Sequence, residues 1–143
     1  MSCWCHVAAV MRIDSIRVGD NYNEPDWDEL IGKECIWGDS DDAWYDMELN
    51  PEKYLPMGSE GSLHKSIWTN PKTYCMASYT VTIWGDLRDR DCDDADEIIK
   101  WFKEKCKQFW IRQAVITINA GFGGVKTYVY KEDDEEESLV CTH

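Results

Sequence analysis

The chain has 143 residues, 43% apolar and 13% aromatic, with 15 Lys+Arg against 28 Asp+Glu for a formal charge of −13. That is the length of one domain, and such a chain buries about 68–70% of its unfolded surface, enough for a core without staples. Acidity on this scale repels phosphate backbones and anionic bilayers, no apolar run approaches the ~20 residues of a membrane-crossing helix, and no basic stretch followed by an apolar one opens the chain, so direct nucleic-acid contact, membrane association and a secretory signal are not expected.

From residue 3 the odd positions read Cys3, Cys5, Val7, Ala9, Met11 and Ile13, an apolar face at strand spacing. This predicts a strand over 3–13 with Trp4 and His6 turned the other way. Cys3 and Cys5 are then expected in the core as small hydrophobes. With His6 they would make three metal ligands, but the second ligand pair of a structural zinc site is missing, so no metal is expected. Seven cysteines, odd in number and without an export signal, read as reduced thiols in a cytosol.

Gly19-Asp20-Asn21 marks a turn. A short helix is predicted next, with Pro25 near its first turn, Asp26, Asp28 and Glu29 at its positive end, Trp27, Leu30 and Ile31 as its apolar side, and Gly32 as its stop. Residues 34–37 read as a brief strand. Asp39 to Leu49 reads as a second helix, capped by Asp39 or Ser40 and contacting the core through Ala43, Trp44 and Met47. Pro51, Pro56, Gly58 and Gly61 make residues 50–61 a loop. Leu63 to Trp68 reads as a strand without a clean period.

The second half is patterned more strongly. Ala77, Tyr79, Val81 and Ile83 alternate with Ser78, Thr80, Thr82 and Trp84, a half-buried strand. Asp86 to Asp94 reads as a charged turn in which Arg88 and Arg90 pair with the neighbouring aspartates. Residues 93–109 are predicted to be a helix, because Ala95, Ile98, Ile99, Phe102, Cys106 and Phe109 recur at helical spacing and acids precede lysines along it. Residues 110–119 and 125–130 read as strands joined by a glycine-rich hairpin, Asn119 to Gly124. The expected fold class is therefore α+β, an antiparallel sheet with helices on one face in ferredoxin-like element order. Residues 1–131 form the single domain, and 132–143 an acidic tail that begins with the like-charge block 132–137.

The charge is uneven. Residues 20–60 hold thirteen acids and two bases, a local charge of −11, whereas 100–112 hold five bases and one acid, a local charge of +4. An acidic surface studded with aromatics suits a basic protein groove, and steering would speed the encounter. The partner-binding candidates are accordingly Asp39, Asp41, Asp42, Trp44, Tyr45 and Asp46, with Phe122 at a hairpin tip. A second reading is a homo-oligomer that traps a nucleotide-like ligand, with Lys100, Lys103, Lys105, Lys107 or Arg112 meeting phosphates and Trp84 stacking. Trp4, Trp84 and Trp110 point away from the apolar strand faces and would line such a site or cover the sheet. Gly121-Phe122-Gly123-Gly124 joins two strands and lacks a following helix, so it reads as a turn and not as a phosphate loop.

Catalytic sets are sparse. Cys75 with His64 would make a nucleophile and base, but no orienting acid stands out. Asp86, Asp89, Asp91 and Asp93 alternate loosely like a calcium loop, yet Asp91 stands where that loop needs glycine. Neither an enzyme nor a bound cofactor is expected.

The start Met1 to His6, the segment Gly85-Asp86-Leu87-Arg88-Asp89-Arg90 and the acid-rich balance resemble small proteins encoded by bacteriophages and prophages. The resemblance implies a location in the bacterial cytoplasm. It further implies a block on host defence, either by occupying the nucleic-acid groove of a nuclease in the manner of anti-CRISPR proteins or by sequestering a nucleotide signal.

Overall fold

The computed structural model describes residues 3–16, 25–36, 38, 41–69, 79–90, 92–121 and 124–131. The expected tail, the turn at 19–21, Asp39, Ser40, Cys75 and Phe122 lie outside them.

The alternation at the N-terminus produces strand β1 (Trp4–Ile16), the longest among the described residues. Helices α1 (Trp27–Leu30) and α2 (Asp41–Leu49) follow, then a single 3-10 turn, Pro51–Lys53. Next come the short strands β2 (Met57–Gly58) and β3 (Gly61–Ser62), then β4 (His64–Thr69) and β5 (Tyr79–Arg88). Helix α3 (Cys92–Cys106) and strands β6 (Phe109–Asn119) and β7 (Val125–Val129) complete the chain order. β1 pairs antiparallel with both β5 and β6, β4 adds to β5 and β7 to β6, giving a five-stranded antiparallel sheet in the order β4-β5-β1-β6-β7. The fold is α+β.

The core lies on one side of this sheet. Cys5, Val7, Ala9, Met11 and Ile13 of β1 join Val81, Ile83 and Leu87 of β5 and Ala114, Ile116 and Ile118 of β6, all buried. Ala95, Ile98, Phe102 and Cys106 of α3 cover them, so the helical spacing and the three strand faces meet in one cluster. Trp27 of α1 completes that cluster against Tyr79 and Phe109, with ring centroids 5.2 and 5.9 Å away. A second cluster is smaller. Cys35, Met47 and Tyr54 are its buried members, with Trp44 and Met57 packed on them, and it seats α2 against the 3-10 turn and the segment after it.

Several boundaries differ from expectation for physical reasons. Pro25 precedes α1, and Asp26 caps it by accepting from the Glu29 amide at 3.2 Å. Residues 34–36 form no strand, and Trp37 lies outside the described residues. Lys33 and Ile36 make single bridges to Tyr54 and Gly61. The loop expected over 50–61 contains the 3-10 turn and the β2–β3 hairpin. Glycine enables that hairpin to lie against β5, because a Cβ on Gly58 would fall 2.6 Å from the Arg88 amide nitrogen. The charged turn expected to start at Asp86 starts later, since pairing with β1 carries β5 through Arg88. Likewise Phe109, expected to end α3, opens β6 and is fully buried there. Cys5 is buried as expected, whereas Cys3, just before β1, is exposed.

Candidate functional site

In antiparallel pairs, facing residues share a side, so the register lists what stands on the face opposite α3. His64, Trp84, Ala8, Thr117 and Thr127 form one row across all five strands. Trp68, Thr80, Arg12 and Gln113 form another. α3 covers the other face, and on this one Trp68 is 63% exposed, Trp84 43% and Trp4 39%. Tryptophan at a strand position facing solvent is a poor choice for solubility alone, which makes this face the first place to look for contact with a partner.

At one end the face deepens into a cleft of about 340 Å³. Trp4, Trp84 and Ile36 supply its apolar walls, and Glu60, His64 and Asp86 its polar ones. Gly85, between Trp84 and Asp86, holds φ +151°, and a Cβ there would meet Leu63 Cδ2 at 3.1 Å. The missing side chain thus lets the core residue Leu63 pack under the strand that carries the cleft. Each histidine near the cleft is paired with a carboxylate. His6 Nδ1 lies 2.6 Å from Asp86 Oδ1, its cross-strand neighbour, and His64 Nδ1 lies 2.9 Å from Glu34 Oε1. The His64 ring also sits 5.6 Å from the Trp84 ring. Arg88 pairs with Glu60 and brings its Cζ 6.0 Å from the Trp4 ring centroid, and the bond to Glu60 raises its pKa further.

The acids predicted to bind a partner separate into two kinds. Asp41 and Asp42 are exposed in the first turn of α2, and Tyr45, 64% exposed, follows them. Asp46 turns back to the chain, accepting from the Tyr54 hydroxyl at 2.5 Å and from Asn50 Nδ2 at 3.2 Å. The Tyr54 bond leads the causes that lower its pKa. Trp44 is half-buried on the small cluster, which makes it an anchor for α2. Asp39 and Phe122 lie outside the described residues.

The residues expected to surround a nucleotide are not brought together. Trp84 stands on the open face, while α3 lies on the other side of the sheet. Lys103 Nζ is 5.5 Å from the Tyr128 ring, Lys107 Nζ is 3.4 Å from Glu104, and Arg112 is paired with Asp14. Lys100 and Lys105 line a different cavity, about 550 Å³, between α3 and residues 51–57, where burial lowers the Lys105 pKa. Arg88 pairs with Glu60 and Arg90 with Glu97, while Asp91 lies outside the described residues.

Glu60 and Asp86 as members of the cleft, and Glu34 as the partner of its His64, were missed at the level of sequence. The alternation of Trp4 with His6, and of Trp84 with Asp86, was the available signal, and it needed the β1–β5 register to become a site. Glu34 is also the acid that was missing beside His64. Among the described residues no three His, Cys, Asp or Glu side chains are grouped to hold a metal ion, and no helix is long and apolar enough to cross a membrane. Comparison with family models, curated proteins and solved structures returned no match.

Proposed function

We propose that this chain is an acidic protein-binding module that engages a basic partner through the α2 surface and the open face of the sheet. The observation that carries the reading is the distribution of ion pairs. Lys65, Arg88, Arg90, Lys107, Arg112 and Lys126 are each engaged with a carboxylate of this chain. Asp41, Asp42, Glu48 and Glu52, by contrast, hold no ion pair among the described residues and are exposed. Asp41, Asp42, Glu48 and Glu52 outnumber Lys53 and Lys33, the bases whose charge reaches Asp46, so the field outward from α2 is negative, and it stands beside an exposed tyrosine that supplies contact area.

On this reading the chain acts as the phage proteins it resembles are expected to act, blocking a nucleic-acid-handling host protein in the bacterial cytoplasm by presenting negative charge to its basic groove. We also read the sheet as ferredoxin-like with one added edge strand. The order β4-β5-β1-β6, with α3 linking the strands that flank β1, supports it.

The test is capture from a bacterial lysate at low and high salt, using the full chain and an Asp41→Lys/Asp42→Lys/Glu48→Lys variant of unchanged circular dichroism. A basic partner should be retained at low salt, released as salt rises and lost by the variant. Retention that is indifferent to both changes removes the proposal.

A further inference from the structure

The cleft between Trp4 and Trp84 has carboxylates of Glu60 and Asp86 on its wall, and among the described residues no lysine or arginine lines it. A phosphate placed there would meet like charge. A flat cation is suited on both counts, since indole faces attract cations and a planar, weakly hydrated guanidinium stacks on them while its N–H groups reach carboxylate oxygens. The chain builds this arrangement for itself beside the cleft, where Arg88 lies against Trp4 and pairs with Glu60. Asp86 is held in place through Oδ1 by His6, and its Oδ2 has no bond among the described residues. At about 340 Å³ the space suits one side chain and its backbone more than an extended ligand.

We infer that the cleft receives one arginine side chain of the partner, its guanidinium stacked on Trp84 and paired with Asp86. The inference rests on the basic-partner reading and names the residue by which that partner is gripped. Charge on α2 would bring the partner in, and the cleft would select it.

The test titrates the full chain with acetyl-Gly-Arg-Gly-amide and with its citrulline counterpart, of equal shape but without charge. Indole N–H resonances, assigned with Trp4→Phe and Trp84→Phe variants, report the site. The arginine peptide should shift the Trp4 and Trp84 resonances saturably, with the citrulline peptide about tenfold weaker or more. Trp84→Ala and Asp86→Asn should each weaken arginine binding about tenfold with the remaining spectrum unchanged. Equal response to citrulline, or shifts that bypass both indoles, overturns the inference. If the cleft ignores arginine while charge reversal on α2 still abolishes capture, the inference falls and the acidic-module reading stands. If arginine binds the cleft and capture ignores α2 charge, the α2 part of that reading falls and the cleft stands.

Discussion

Arg112 and Asp14 are the two residues that the β1–β6 register passes over, and they pair with each other. Arg12 faces Gln113, Ile13 faces Ile111 and Ser15 faces Trp110, so the two shifts leave one residue out on each strand. The Arg112 guanidinium reaches Asp14 Oδ1 from Nε at 2.9 Å and from Nη2 at 2.8 Å. The irregularity also sets Phe109 in the core beside Trp27.

Because the pair is 41% and 42% exposed, water screens it. A double-mutant cycle of Arg112→Ala and Asp14→Ala in urea should give a coupling of about 0.2–1 kcal/mol. Partner capture should be unchanged in both single variants. Loss of capture with Arg112→Ala alone would show that this arginine does more than pair with Asp14.

The bond between Tyr54 and Asp46 sets a pH window at each end of the scale. The Tyr54 phenol is pushed up to about 12 from 10.0, chiefly because it donates to the Asp46 carboxylate. A group whose proton is held more tightly in the fold stabilises it fully below its unfolded value, and that contribution fades as pH rises from 10.0 towards about 12. The Asp46 carboxyl is lowered from 3.8, so its contribution is present above that value and fades as pH falls below it. Thermal unfolding should therefore show Tm of the wild type falling towards that of Tyr54→Phe in both directions. A constant gap between the two proteins across those ranges would contradict the account. Lys105 adds an opposite trend at alkaline pH, since burial lowers its pKa, and Lys105→Met removes it as a control.

Trp27 is buried with its Nε1 lacking a hydrogen-bond partner among the described residues. Its value to the fold is then the area it packs against Tyr79 and Phe109. Trp27→Phe keeps most of that area and removes a costly unsatisfied donor, so its unfolding free energy should stay within about 1.5 kcal/mol of wild type. Trp27→Ala should lose about 3–5 kcal/mol. Equal losses in chemical denaturation would mean that the indole N–H is bonded after all.

Much of the fold was legible in the sequence, and the parts that were share a cause. Strand β1 and helix α3 carry their period over 13 and 15 residues, long enough for local pattern and tertiary burial to agree. The middle of the chain is different. Tyr54 and Cys35 belong to a small cluster made by residues distant in sequence, and Ser62 Oγ satisfies the Cys35 amide at 2.8 Å, none of which leaves a period to read. The same holds for the cleft. Trp4 and Trp84 were placed on the outward face by alternation, but Glu60 and His64 join them only through the β4–β5 register and the close approach of β2 to β5. Asp46, grouped with Asp41 and Asp42 by composition, was separated from them by one tyrosine hydroxyl.

The most direct measurement of the central claim is the association rate of a captured partner with the wild type and with Asp41→Lys/Asp42→Lys, followed by stopped flow over a range of salt. Electrostatic steering predicts a wild-type rate that falls steeply as salt rises, a variant rate several-fold slower at low salt, and dissociation rates that barely differ. Rates that coincide at every salt concentration would contradict it.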